Sequence, residues 1–272
     1  MKKTLRFTSA ALTLALAAGM ALPAFAAAKP SFSKDETVYA VMAPDGSVTS
    51  TTVSAHLHNA AGLSGVTDRS TLTDIVNTES DAAFTQNGDS LTWDTTDTDV
   101  YYKGNTSRAL PVSAAVTYTL DGETAPLENL LGKSGHLTIR IDLTNNETGT
   151  VTVNGAERTV VTPFITAVGV VLGEDASNVT LEHGLLESAA KSTVAAFVTL
   201  PGVRGALSGL LPDSFSAAED YLQDSVTVEA DVENLSAPQI LLASAASAEA
   251  LGQDNVFDLS SIHSLTLSLI HI

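Results

Sequence analysis

The chain has 272 residues, a net charge of −18 at neutral pH and no cysteine. The absence of cysteine excludes a disulfide framework, a thiolate nucleophile and a cysteine-based zinc site. The acidic excess disfavours DNA, RNA and anionic lipid headgroups as partners, because these carry charge of the same sign. We therefore expect no nucleic-acid partner, and a stability that depends on apolar packing.

The first 26 residues have the organisation of a secretory signal peptide. Three basic residues precede an uncharged stretch rich in alanine and leucine, and Ala24-Phe25-Ala26 has the small-residue spacing of a cleavage site. The apolar stretch is too short to favour a transmembrane anchor. We predict export, with cleavage after Ala26 or, as the alternative, after Ala28.

Alternation of apolar and polar residues dominates the remaining sequence. It is clearest in three runs: PVSAAVTYTL (111–120), HLTIRIDLTN (136–145) and SVTVEADVEN (225–234). Strict alternation places one face of a strand in a core and the other in water, which is typical of antiparallel sheets. These runs predict half-buried strands rather than the continuous apolar strands of a parallel sheet.

Turn signals separate the predicted strands. Pro44-Asp45-Gly46-Ser47 and Asn154-Gly155 predict two hairpins, and Asp121-Gly122 predicts the end of a strand. Helix signals are few: a short turn in the run APLENLLGKSG, and one or two short pieces around Pro212.

The pattern predicts an all-β fold of tandem antiparallel β-sandwich (Ig-like) modules with a few short helices. A single larger β domain is the alternative. The predicted organisation is a signal peptide (1–26), a linker (27–35), an N-terminal β module (36–108), a second β-sandwich module (109–244), the start of a truncated helical segment (245–266) and a sequencing artefact (267–272).

The last six residues, Leu267 to Ile272, match the translation of a DNA sequence used in library preparation. The codons CTG TCT CTT ATA CAC ATC give the string LSLIHI and match the transposon end that fragments DNA for sequencing. A natural terminal strand is the alternative. We expect that the genuine protein extends to about Thr266 and continues beyond it.

Two histidines are weak candidates for a transition-metal site. His56 and His58 share the polar face of a predicted strand, because Val53, Ala55 and Leu57 take the other face. Such a pair can supply two ligands of a zinc or copper site, but no further ligand follows at a spacing typical of metal sites. We interpret both as solvent-facing residues.

Three aspartates beside aromatic residues are weak candidates for a Ca²⁺ site. Asp94, Asp97 and Asp99 lie close to Trp93 in the run NGDSLTWDTTDTDVYY, whose aromatics could also stack on a sugar. The run lacks the glycine and the distal glutamate of a calcium loop. We interpret Trp93 as a core residue next to a solvated acidic turn.

Catalytic motifs are missing from the sequence. There is no Gly-x-Ser-x-Gly and no His-Glu-x-x-His, and the Gly132-Lys133-Ser134 tripeptide lacks the preceding glycine of a phosphate-binding loop. We predict a non-enzyme without a cofactor.

The runs DETVYAVMAPDGSVTSTTVSAHLHN and LTWDTTDTDVYYKGN, with the sequence from there to Phe164, resemble a group of exported Gram-positive surface proteins. The resemblance covers residues 34–243. It implies a β region followed by helical repeats and a membrane anchor similar to those of the phage-infection-protein-like (YhgE/Pip) proteins. No reaction is attached to the group, so it implies no site residues.

Together these features predict a non-catalytic extracellular β module of a bacterial cell-surface protein, with a role in display, adhesion or envelope interaction. Its partner is unknown, and the resemblance implies membrane attachment only through a missing C-terminal anchor. The alternatives are a secreted module that binds glycan or Ca²⁺, and the accessory region of an enzyme whose catalytic domain is missing.

Overall fold

The computed structural model describes residues 32–153, 155–189, 191–208 and 221–246. The predicted signal peptide, most of the linker, the helical piece at Pro212 and residues 247–272 lie outside the described residues. Contacts divide the chain into two compact units, with the division between Ala109 and Leu110. We call them the N-terminal and the C-terminal unit; that each is an independent domain stays a prediction.

The N-terminal unit contains two antiparallel sheets. A four-stranded sheet has the order β1-β2-β7-β4, and a three-stranded sheet has the order β3-β6-β5. The strands are β1 (Ser33–Met42), β2 (Val48–His58), β3 (Thr67–Arg69), β4 (Thr73–Asn77), β5 (Ala83–Asn87), β6 (Ser90–Asp94) and β7 (Asp99–Asn105). The predicted hairpin at Pro44-Asp45-Gly46-Ser47 is confirmed, because it joins β1 to β2 and Gly46 has a φ of 88°.

One apolar core joins the two sheets of this unit. Alternate residues of β2, including Ala55 and Leu57, point inward from the larger sheet, and Leu91 and Trp93 do so from the smaller one. Trp93 is fully buried. The prediction that Trp93 is a core residue is confirmed, and the arrangement is that of a small sandwich.

The strand order of this unit differs from that of an immunoglobulin constant domain. There the fifth strand completes the four-stranded sheet and the seventh lies in the three-stranded sheet. Here β7 lies between β2 and β4, while β5 pairs with β6. The all-β prediction is confirmed, but the Ig-like connectivity is not found in this unit.

The C-terminal unit contains a five-stranded sheet, a four-stranded sheet and a hairpin. Their orders are β14-β17-β10-β8-β9, β15-β16-β13-β18 and β11-β12. The strands are β8 (Val112–Leu120), β9 (Glu123–Thr124), β10 (Gly135–Asn145), β11 (Thr148–Val153), β12 (Ala156–Val161), β13 (Phe164–Leu172), β14 (Ala176–Leu181), β15 (Leu185–Ala189), β16 (Ser192–Thr199), β17 (Ser225–Val232) and β18 (Gln239–Ala246).

Helix is short where the structure describes it. A 3-10 turn spans Leu127–Asn129 and one α-helical turn spans Val203–Ala206. The first agrees with the short turn predicted in APLENLLGKSG. Ala245 and Ala246, assigned by the sequence to the helical segment, belong instead to β18.

The core of the C-terminal unit lies between its two larger sheets. Central strand β10 pairs with β8 on one side and β17 on the other, and its inward residues Leu137, Ile139, Ile141 and Leu143 are buried. Val168 and Val170 of β13 belong to the same apolar cluster from the opposite sheet. The inward faces predicted for β8, β10 and β17 are thereby confirmed.

Candidate functional site

A cluster of polar side chains stands on the outward face of the four-stranded sheet in the N-terminal unit. Asp99 Oδ1 is 2.8 Å from His56 Nε2 and 2.8 Å from His58 Nδ1. The ring of Tyr101 stacks on that of His56, with centroids 4.2 Å apart and planes inclined by 2°. We call these four residues the outer histidine cluster. They meet because β2 and β7 pair with His58 opposite Asp99 and His56 opposite Tyr101.

Asp99 is held in its charged form by its neighbours. Thr98 Oγ1 donates a 2.7 Å hydrogen bond to Asp99 Oδ2. This bond, followed by those with His56 and His58, holds the pKa of Asp99 well below its usual range. The outer histidine cluster therefore presents a carboxylate anion throughout the ordinary pH range.

Replacing Thr98 by valine is expected to raise the pKa of Asp99 towards its ordinary value, because the largest stabilising hydrogen bond to the carboxylate is removed. The measurement is a carboxyl-carbon NMR titration of the two proteins. Because the folded-state pKa is depressed, Asp99 contributes stability above the ordinary pKa of about 3.9, and this contribution is lost as pH falls through the folded-state pKa.

Thr95→Val is the matched control, since the Thr95 hydroxyl donates to Asp97 Oδ2 at 2.9 Å and not to Asp99. It is expected to leave the Asp99 titration unchanged. Identical Asp99 titrations in wild type and Thr98→Val would contradict the assigned cause.

The structure does not gather the residues that the sequence nominated for Ca²⁺. Asp94 is exposed at the end of β6, the carboxylate of Asp97 accepts the Thr95 hydrogen bond, and Asp99 faces the two histidines. The predicted outward orientation of His56 and His58 is confirmed. Among residues that the structure describes, no group of three or more His, Asp or Glu side chains is arranged to hold a metal ion.

A second polar cluster lies between the two sheets of the N-terminal unit, with Asp68 and Tyr102 buried and Lys34 partly buried. The Asp68 side chain in β3 is only 4% exposed, and its Oδ1 and Oδ2 lie 3.1 and 2.9 Å from Lys34 Nζ in β1. Tyr102 Oη in β7 donates a 2.5 Å hydrogen bond to Asp68 Oδ2. We call Lys34, Asp68 and Tyr102 the buried clasp. It connects β1 and β7 of one sheet to β3 of the other.

The clasp shifts the titration of two of its members. Burial lowers the pKa of Lys34, but hydrogen bonds with Glu36, Asp68 and Tyr102 outweigh burial and leave this pKa well above its ordinary value. Burial, followed by the hydrogen bond to Asp68, raises the pKa of Tyr102 to about 12. At neutral pH Tyr102 is therefore a neutral hydrogen-bond donor, and Lys34 is a cation opposite an anion.

The surroundings of the clasp are aromatic. Lys34 Nζ lies 5.8 Å from the centroid of the Tyr102 ring, and that ring lies 5.6 Å from the Trp93 ring. The ring centroid of Phe84 lies 5.1 Å from that of Trp93. Asp68 is shielded from water, which strengthens its attraction to Lys34. The indole Nε1 of Trp93 is buried without a hydrogen-bond partner.

The sequence interpretation did not identify the buried clasp, although one signal was present. Val66, Asp68, Ser70 and Leu72 occupy alternate positions, and all four are buried. Continuing the period of two from Val66 to Leu72 would place a carboxylate inside the core. A buried carboxylate requires a partner, so this period could have prompted a search for a cation.

The fold and these clusters define the chain as an all-β protein with two sandwich-like units, an outward histidine cluster and a buried ion pair. Comparison with models of known protein families gives no match, and comparison with curated proteins gives none either. In the described part of the chain, no helix combines the length and the apolar character needed to cross a membrane.

Proposed function

We propose that the chain is the non-catalytic, extracellular β region of a bacterial cell-surface protein that contacts an envelope partner. The observation that carries this proposal is the apolar tip of the β1–β2 hairpin. Tyr39 and Val41 are each 62% exposed, and Val38 and Val48 are also exposed. Tyr39 and Val41 alternate along β1 and share one face, where their exposed side chains form a small apolar patch of the kind that marks interaction sites.

The position of the hairpin favours contact with a partner. Tyr39 pairs with Thr52 and Val41 with Ser50 across the two strands. Tyr39 and Val41 therefore stand on the same outward face of the sheet as His56. A tyrosine with a polar tip and an apolar body is common at protein interfaces.

The outer edge of β1 supplies backbone groups as well. In the described sheet β1 is the first strand and pairs with β2 alone. Its second edge therefore presents N–H and C=O groups that a partner strand can pair with. Ser33–Met42 is a ten-residue strand, which is long for an edge strand. The proposed contact combines this edge with the apolar tip.

The sequence supports an extracellular location for such a surface. Residues 1–26 have the signal-peptide pattern, and residues 34–243 resemble exported Gram-positive surface proteins. The outward residues of β2 and β7 are largely threonine, serine and other polar side chains. Such faces suit a solvated spacer that displays one contact site.

The test expresses the full chain in a Gram-positive host and compares the cytoplasm, envelope and medium. Wild type is expected in the envelope fraction. A Tyr39→Ser/Val41→Ser variant is expected to be released into the medium about tenfold more, because two apolar contacts worth about 1.4 kcal/mol together are lost.

A Leu185→Ser/Leu186→Ser variant is the matched control, since these residues of β15 are also exposed, at 57% and 44%. It is expected to fractionate like wild type. Retention of all three proteins in the cytoplasm would refute the extracellular location, and equal release of both variants would refute the role of the hairpin.

A further inference from the structure

We propose that Lys34 and Asp68 join covalently, through an amide bond between Lys34 Nζ and Asp68 Cγ. The bond would link β1 to β3 across the core of the N-terminal unit. This inference does not depend on the proposed function, because it rests on the buried clasp alone.

The reacting groups are already in contact. Nζ lies 2.9 and 3.1 Å from the two carboxylate oxygens of Asp68, whose side chain is 4% exposed. Groups held at such a distance react as if at very high concentration, so a reaction that is negligible between free amino acids becomes accessible. The Arg140–Asp142 ion pair shows the contrast, since its side chains are 52% and 43% exposed and a guanidinium is not deprotonated.

The resting pair is ionic, so the reaction begins with a proton transfer from the Lys34 ammonium to the Asp68 carboxylate. Nζ is close to the Tyr102 ring, and the aromatic group of Trp93 and Phe84 adjoins that ring. In a medium of low polarity, separated charges are costly, and a proton moving from the ammonium to a carboxylate removes both charges at once. This transfer yields the free amine and the carboxylic acid in contact.

The step balances without an added reagent. The lone pair of Nζ attacks Cγ of the protonated Asp68, and a C–N bond forms. The bond from Cγ to Oδ1 breaks, and Oδ1 leaves as water with the two protons that the original ammonium gives up. One N–H remains in the amide. The ammonium and the carboxylate are replaced by one amide, and one water is released. Nothing is oxidised or reduced.

Two neighbours touch the reacting atoms and have defined roles. Tyr102 Oη donates to Asp68 Oδ2, the oxygen that carries the developing negative charge when Nζ attacks. Glu36 Oε1 lies 2.9 Å from Nζ and can accept one of its protons and pass it to the leaving oxygen. Tyr102 is suited to its role because its raised pKa keeps the hydroxyl protonated.

The experiment is mass spectrometry of a tryptic digest of the denatured full chain. No lysine or arginine lies between Lys34 and Arg69. An unlinked chain is cleaved after Lys34 and yields the peptide Asp35–Arg69. A linked chain resists cleavage at Lys34 and yields one longer peptide that ends at Arg69 and is one water lighter than its sequence. We expect the second result.

Lys34→Arg supplies the control, because arginine keeps the positive charge and the tryptic site but forms no amide under these conditions. It is expected to give the peptide Asp35–Arg69 at its unmodified mass. Dehydration at Asp45-Gly46 would also remove one water, but it leaves cleavage at Lys34 intact. Quantitative release of unmodified Asp35–Arg69 from wild type would overturn the proposal.

The roles of the neighbours are tested in Tyr102→Phe and Glu36→Gln. At equal times after synthesis, each is expected to contain a smaller linked fraction than wild type, with a rate about 10²-fold lower for Tyr102→Phe. An unchanged linked fraction in Tyr102→Phe would overturn the role assigned to its hydroxyl.

Discussion

Replacement of Asp68 by alanine is expected to lower the free energy of unfolding of the N-terminal unit by about 1–3 kcal/mol. The change leaves the Lys34 cation and the Tyr102 hydroxyl without their shared partner inside the protein. Lys34 keeps Glu36 Oε1 at 2.9 Å and the Arg69 carbonyl at 3.2 Å, so the main cost is that the buried Tyr102 hydroxyl loses this acceptor. The loss is expected whether the pair is ionic or covalently joined.

The measurement is urea unfolding followed by the fluorescence of Trp93. This residue is the chain's one tryptophan and lies in the same core as the clasp. Asp89→Ala is the matched control, because Asp89 is 58% exposed and its nearest cation, Arg69, is 3.9 Å away. The control is expected to change stability by less than about 0.5 kcal/mol. Equal midpoints for the two variants would contradict the structural role of the clasp.

The second large effect is expected from Ile139→Ala in the C-terminal unit. Ile139 is fully buried in the central strand β10, between Tyr118 of β8 and Val228 of β17. Truncation removes apolar contacts and leaves a cavity, so the unit is expected to lose about 2–5 kcal/mol of unfolding free energy. Far-UV circular dichroism during urea unfolding reports the change.

Arg140→Ala tests whether the loss comes from the inward-facing side chain or from any substitution at this point of β10. Arg140 is the next residue, points outward and pairs with the exposed Asp142. Its loss is expected to cost about 0.2–1 kcal/mol, in the range of exposed ion pairs. A cost for Arg140→Ala equal to that for Ile139→Ala would show that the inward face of β10 is not a packed core.

The elements that the sequence predicted correctly depend on local periodicity. Every second residue is apolar from Leu137 to Leu143 in β10, from Val226 to Val232 in β17 and from Val53 to Leu57 in β2, and the structure buries that set. The hairpin at Pro44-Asp45-Gly46-Ser47 also depends on local chemistry, since glycine accepts the positive φ of the turn. A single sequence contains this information because each signal spans only a few residues.

Strand neighbours could not be predicted in the same way. β7 pairs with β2, and Asp99 contacts His56 across 43 positions of sequence. Alternation shows which way His56 faces, but it does not say which strand lies beside it. The exchange of β5 and β7 relative to an immunoglobulin order has the same origin, because pairing between distant strands is decided by packing of the whole unit.

The buried clasp was missed for a related reason. Lys34 lies in the polar first half of β1 and Asp68 in a strand of three residues, so neither has a strong local pattern. The contact between Lys34 and Asp68 forms only when the two sheets pack against each other. The exposure of Tyr39 and Val41 was equally unpredictable, because alternation assigns apolar residues to a core whether or not a second sheet covers them.

The placement of Lys34 has a mechanical consequence. A pull on the chain ahead of Ser33 would load β1 at the end where Ser33 pairs with His58, and would open the strand one rung at a time. Lys34 occupies the second rung, and its side chain is fastened to the opposite sheet at Asp68. Tension would therefore reach the Lys34–Asp68 contact after only one residue pair had opened, and this contact would transmit the force to both sheets. Shear flow would then load the whole unit instead of detaching its first strand.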